Sequence, residues 1–496
     1  MEPVDTLPSE ILAQIFKSGT TLPSTRPGCL PCLVAYSSVS QRWRSAALEH
    51  PDLWTAIHVP FSMRNVVAWI ALCLERSKSC LFDITLRLPE PMDMSVITNV
   101  MLLVVQHVSR LRCLVITADS FLSNPGEIFA LLQNAQRARR LAVLELTFPD
   151  PNSNISMTIP HGGLLIHTPS LTSLRLHGVA SPVPFVGLRS LDIQGLRTTH
   201  ADFRDMVTAS PLLTALILPK LRLMVDLKSK SLPPIEIPSL KILALSFSKP
   251  LPSNQFNPCH NLISLLSIPN LEYLELVGGM IPDLAKTFQD PSAFTKLRTL
   301  RLVGVAVVSR NPDVNNVLYL RALTTIEELQ LIHSHAEYLL PTETISEKRP
   351  KVRSSRTRSI SSRDDGARRM YYPHARPHQS PATVNPRDSP SSSEPIYPNL
   401  RSISLDTLPA VGALWLYRFV METPQIEFVK LSPGAEKHLS TSLGMRADGT
   451  LQTLPFTPFL DPTENNPVDA GKLLRKRVRV QEIDTDGYIH WQSAVI

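Results

Sequence analysis

Few residues in this chain have the types and spacing for chemistry, and the spacing argues against most of it. Cys29-Leu30-Pro31-Cys32 has the separation of two zinc ligands, but neither a second Cys pair nor a His-x-x-x-His run supplies the rest of a tetrahedral site. Asp484-Thr485-Asp486-Gly487 opens like a calcium loop, yet the later oxygen ligands and the closing Glu are missing. An Asp-Gly pair tolerates the positive dihedrals of a tight turn, so these residues predict a hairpin between 477–483 and 488–491. No Gly-x-Ser-x-Gly, phosphate-binding glycine loop or His-Glu-x-x-His occurs. The sequence therefore assigns no catalytic residue, no metal and no cofactor, and predicts a protein that is not an enzyme. The remaining thiols, Cys73, Cys80, Cys113 and Cys259, are too few and irregular for a disulfide framework, which points to a reducing compartment.

Charge is the next chemical resource, and its location matters more than its size. The formal net charge is +7. Between 346 and 397, eleven Lys or Arg stand against five Asp or Glu, an excess of +6. The rest is near neutral, so the globular body has no electrostatic case for nucleic acid. Residues 342–397 are dominated by Ser, Arg and Pro without apolar periodicity, which predicts a disordered insertion. Within it, Arg356-x-Arg358-Ser359 and Arg358-x-x-Ser361 suit a basic-directed kinase, and Ser380-Pro381 and Ser389-Pro390 a proline-directed one. The N-terminus, with Glu2 and Asp5, is no secretory signal, and no apolar run is long enough to span a membrane. A cytoplasmic and/or nuclear location is expected.

The elements that would position any binding surface are set by apolar spacing. A Leu-x-x-Leu-x-Leu triplet occurs eleven times, from Leu111-Leu114-Ile116 to Ile426-Val429-Leu431. Successive middle residues are 17 to 31 apart, except one gap of 74 that holds the insertion. Each triplet predicts a short strand with one buried face. Pairs such as Pro169-Ser170, Pro238-Ser239, Pro269-Asn270 and Pro398-Asn399 predict turns leading into strands. Between them, apolar spacing of three and four predicts helices at 202–209, 313–321 and 411–422, and Asn124-Pro125-Gly126-Glu127 a helix start. Before the triplets come a helix over 65–77 and a strand over 81–88. The array resembles leucine-rich-repeat proteins, which implies units that stack into a solenoid because none buries its apolar face alone.

Ahead of this lies a compact helical stretch. In LPSEILAQIF, Ile11, Leu12, Ile15 and Phe16 form one broad apolar stripe. LVAYSSVSQRWRSAALE reads as a second helix with Val39, Trp43 and Ala47 four apart, and Leu53-Trp54 folds back after Pro51. The order Leu-Pro-x-Glu-Ile-Leu, Val39-Ser40-Gln41-Arg42-Trp43-Arg44, Pro51-Asp52-Leu53-Trp54 resembles the F-box family. That resemblance implies docking on the SKP-type adaptor, and through it on the cullin, of a ubiquitin ligase. Leu7, Pro8, Ile11, Leu12, Val39 and Trp43 are the matching apolar contacts.

The fold class read from the sequence is α/β: a small helical F-box module (1–60), an irregular leucine-rich-repeat solenoid (61–341), the disordered basic insertion (342–397), and the last repeats with a C-terminal cap (398–496). The function expected is that of a substrate receptor whose repeats hold a target protein. The alternatives are a repeat scaffold without ligase, and a nucleic-acid-associated protein acting through the basic insertion. The residue between the second and third apolar positions of each triplet faces away from the core, and this row includes Arg175, Asp192, Glu275 and Arg301. Two readings stay open: target recognition by these charges, or cross-strand pairing of Arg175 with Asp192 and Glu275 with Arg301.

Overall fold

A computed structural model describes residues 7–20, 32–59, 65–89, 93–118, 138–149, 168–180, 186–224, 232–246, 259–278, 291–305, 323–334, 336–340, 397–408, 412–436 and 470–482, with isolated positions between them. Cys29, the expected helix start at 124–127, the expected helix at 313–321, the 342–396 stretch and the Asp484–Gly487 turn lie outside the described residues, while positions 128 and 130–132, just after that start, are helical.

Three short helices come first: α1 (Ser9–Thr20), α2 (Cys32–Val39) and α3 (Gln41–Glu49). The expected single helix across 33–49 is broken at Ser40, whose backbone is extended (φ −154°) and whose hydroxyl accepts from Trp43 N at 3.2 Å. Apolar periodicity carries across such a one-residue break, so the cap is the only sequence signal for it. Phe16, Tyr36 and Trp43 form the centre, with Phe16–Tyr36 stacked at 4.9 Å and Phe16–Trp43 at 5.1 Å. Gly19 permits this, because a Cβ there would lie 2.1 Å from the Tyr36 hydroxyl. After a 3₁₀ turn at Pro51–Trp54, Trp54 Nε1 donates to Ala47 O at 2.8 Å. The Arg76 guanidinium lies 4.3 Å from the centroid of the Trp54 ring, on the next helix, α4 (Val66–Arg76).

The rest is organised by one parallel sheet of fourteen strands, each paired with the next in sequence. They are β1 (Ala56–Val59), β2 (Phe82–Leu88), β3 (Leu111–Ala118), β4 (Val143–Thr147), β5 (Ser173–His177), β6 (Ser190–Ile193) and β7 (Ala215–Leu218), followed by β8 (Ile242–Ser246), β9 (Tyr273–Val277), β10 (Thr299–Val303), β11 (Glu328–Ile332), β12 (Ser402–Leu405), β13 (Phe428–Leu431) and β14 (Arg479–Glu482). Middle triplet residues are in register throughout, for example Leu274 with Leu300, Leu300 with Leu329 and Leu329 with Ile403. Every residue of the eleven triplets is at most 5% exposed. They share one core with the helices between strands: α5 (Met94–Gln106), α6 (His200–Thr208), with Phe203, Met206 and Val207 buried, and α7 (Gly412–Glu422), with Phe419 and Val420 buried.

Two ends differ from the sequence reading. β1 lies inside the stretch expected to be wholly helical and is the first strand of the sheet. At the other end, the strand expected over 477–483 is present as β14, led into by a helix the sequence reading lacked, α8 (Ala470–Arg477), and it pairs parallel with β13, setting Val480 beside Val429, while the hairpin partner expected at 488–491 lies outside the described residues. The 74-residue gap opens and closes on neighbours, since β11 pairs directly with β12.

Turns feeding the strands repeat one construction. The first triplet residue donates its N–H to the carbonyl three residues back, as in Leu171 to Thr168, Leu240 to Ile237 and Leu400 to Tyr397. The polar residue just before it reaches back to the preceding turn: Ser239 Oγ to Leu213 O, Asn270 Nδ2 to Pro238 O, and Asn399 Nδ2 to Thr324 O, at 2.7–2.8 Å.

Candidate functional site

Two surfaces stand out, and no described helix is long and apolar enough to cross a membrane. Among the described residues no cluster of three or more His, Cys, Asp or Glu could hold a metal ion. Burial pushes the thiols of Cys73 and Cys113 up to about 12, which makes them poor nucleophiles and poor ligands at neutral pH.

The first surface is on the N-terminal helices. Leu12 and Phe16 are fully buried, whereas Ile11 is 39% and Ile15 48% exposed, so the expected single stripe divides into an inner and an outer pair. Val39 at 60% and Leu48 at 39% add to the outer set, giving residues 7–50 four of the nine exposed large apolar side chains among the described residues. Of the six residues expected to dock, Pro8, Ile11 and Val39 are exposed, Leu7 and Trp43 are half-buried, and Leu12 faces the core. Trp43 packs on Phe16 and Tyr36, so part of its ring supports the module itself. Arg42 Nη2 donates to Leu7 O and Arg44 Nε to Ser37 O at 3.0 Å, which fixes the chain ahead of α1 and the α2–α3 corner. Ile15 and Leu48 complete the outer set. Ile15 was legible from its i+4 spacing to Ile11, and Leu48 was not, because α3 buries only its Ala46–Ala47 flank.

These helices lie in a region that a protein-family model matches. Residues 4–60 match the F-box-like family model. No curated protein matches the chain. The F-box-like region points to an adaptor role in ubiquitin ligase complexes, since domains of this family generally bind SKP-type adaptors.

The second surface is the sheet face opposite the triplets. The expected row is in register: Glu145, Arg175 and Asp192 on β4 to β6, and Glu275, Arg301, Gln330, Ser404 and Lys430 on β9 to β13. Its charges are paired with each other. Arg175 bridges Glu145 at 2.7 Å and Asp192 at 2.8 Å, and His177 Nε2 lies 2.8 Å from the same Asp192. Arg301 lies 3.7 Å from Glu275 and donates to Gln330 Oε1 at 2.8 Å, while Tyr273 Oη donates to Glu275 at 2.8 Å. Burial, followed by the Glu275 charge, pushes the Tyr273 phenol up from its ordinary value. The cross-strand pairs anticipated between 175 and 192 and between 275 and 301 are therefore both formed, and Asp192, Glu275 and Arg301 are buried.

Proposed function

We propose that this protein is a substrate receptor of an SCF-type ubiquitin ligase, in which the F-box-like region docks on a SKP-type adaptor and the strand ladder holds a target protein. The observation that carries this reading is the exposed Ile11 and Ile15 pair on α1, with Leu12 and Phe16 already satisfied inside. A helix that completes its own core and still presents isoleucines one turn apart has an apolar surface left for a partner. The register of the triplets supports an irregular leucine-rich-repeat solenoid as the architecture, with the opposite face presenting a polar row to the target. Chemistry would reside in other subunits, so no catalytic residue is assigned. On this reading, Arg175, Asp192, Glu275 and Arg301 shape that face chiefly by holding one another.

The test is capture by the purified SKP-type adaptor. Ile11→Asp with Ile15→Asp, both at exposed positions, is expected to leave circular dichroism and Tm unchanged and to weaken capture by about a hundredfold or more, given roughly 1.5–3 kcal/mol for each large side chain buried. Trp43→Ala is expected to lower stability as well, because its ring packs on Phe16. A folded double variant that still binds at wild-type affinity removes the docking assignment and leaves a repeat scaffold.

A further inference from the structure

The face opposite the triplets carries one arrangement that the ladder does not need. Lys430 Nζ on β13 lies 2.8 Å from Glu328 Oε1 on β11, although β12 runs between them. Neighbouring strands are about 4.8 Å apart, so this pair spans two gaps and crosses whatever β12 presents. What β12 presents is serine. Ser402 is in register with Glu328 and Phe428, and Ser404 with Gln330 and Lys430. Larger side chains there would block the bridge; two serines leave a notch beneath it.

The notch is lined by donors. Ser402 and Ser404 are 9% and 3% exposed, and Ser402 Oγ is buried with no hydrogen-bond partner among the described residues, an arrangement that folded proteins rarely leave uncompensated. Gln330 Oε1 accepts from Arg301 Nη1, which fixes the amide and leaves its NH2 as the group able to donate. Lys430 adds an ammonium, and its side chain remains 34% exposed, within reach of solvent. Glu328, 27% exposed, is the carboxylate that now pairs with Lys430, and it does not reach the Ser402 hydroxyl.

We infer that Lys430–Glu328 is an exchangeable pair, and that an acidic side chain from a bound protein segment takes the place of Glu328, accepting from Lys430, the two serine hydroxyls and the Gln330 amide. This rests on the reading that this face holds the target, and it names the chemistry of one contact. One carboxylate replaces another on the Lys430 ammonium, and the displaced Glu328, already partly exposed, turns to water; a dianionic phosphate would exceed the single charge that Lys430 supplies.

The experiment uses the full-length protein and fluorescence anisotropy of a labelled octaglutamate peptide, with octaglutamine as the blank, at low salt. Because 346–397 carries an excess of +6 and attracts polyanions generally, the information lies in comparisons between variants of equal charge. Glu328→Gln releases Lys430 and is expected to tighten binding about fivefold relative to Glu272→Gln, which removes the same charge from the exposed Lys241–Glu272 pair at 2.9 Å. Lys430→Gln is expected to weaken it about threefold relative to Lys241→Gln, and Ser402→Val, which fills the notch, to do likewise relative to wild type. A gain on Glu328→Gln with unchanged circular dichroism and Tm does not arise from misfolding, so the proposal stays testable if Ser402→Val unfolds. Equal affinities for Glu328→Gln and Glu272→Gln, or for the two lysine variants, overturn it. Adaptor capture, read in parallel, is expected to be unchanged in every variant. Its failure in the wild type would strike the adaptor reading and leave the notch result standing.

Discussion

His333 has φ +48°, at the position following β11 where Gly178, Gly278 and Gly304 follow β5, β9 and β10 with φ between +63° and +78°. A side chain in this region costs about 1–2 kcal/mol that glycine avoids. The offset is supplied from the next strand. Asp406, whose side chain is 4% exposed, accepts from His333 N at 2.7 Å and lies 2.6 Å from His333 Nδ1. Asp406→Ala is therefore expected to destabilise by about 1.5–3 kcal/mol, the range for a hydrogen bond to a charged group. In that background His333→Gly should return roughly 1 kcal/mol, whereas in the wild type it sacrifices the carboxylate contact and gains little. Urea unfolding of the four proteins measures this, and strictly additive changes would show that the two residues do not act together.

At the scale of elements, the turns do as much as the strands to set register. Asn270 ties one turn to the turn before it and accepts from Lys296 of the next at 2.6 Å, while Asn399 performs the same reach to Thr324 O across the long gap. Asn270→Ala and Asn399→Ala are each expected to lower stability by about 1 kcal/mol, one net hydrogen bond. An exposed Gln41→Ala serves as the control, and thermal shifts no larger than the control's would reduce these links to ornament. The triplets and the Pro-Ser or Pro-Asn pairs were legible because alternation and turn chemistry are local properties. β1 was not, and neither was the parallel pairing of β14 with β13, although a strand at its place was. Ile57, Val59 and Val480 lack the full triplet, and only the neighbouring strand's edge recruits them into the sheet. The division of α1 into Leu12–Phe16 inside and Ile11–Ile15 outside was illegible for a related reason. A broad stripe of four apolar residues shows that a helix is amphipathic, but packing against α2 and α3 decides how much of the stripe the domain itself covers.

At the scale of the whole molecule, the gap between β11 and β12 begins and ends on one helix. Trp415 Nε1 donates to Leu340 O at 2.9 Å, and the Tyr397 ring lies 5.7 Å from Phe419, which stacks on Trp415 at 5.5 Å. Residues 415 and 419 are one turn apart on α7, about 6 Å along its axis. A linker of a few residues therefore suffices to rejoin the chain, since each extended residue spans about 3.3–3.6 Å. Replacing 345–392 by a short Gly-Ser linker is expected to preserve the sheet. For a stretch without contacts of its own, shortening the loop several-fold should raise stability by about 1–2 kcal/mol, because closing a shorter loop costs less entropy. The same deletion removes eleven Lys or Arg and four Asp or Glu, the whole formal net charge of +7, so salt-sensitive binding to RNA or DNA, if the wild type shows it, should vanish while adaptor capture persists. A fall in stability of several kcal/mol would instead mean that the segment packs on the body. Loss of adaptor capture in a deletion variant that is still folded would mean that ligase docking depends on more than the F-box-like helices.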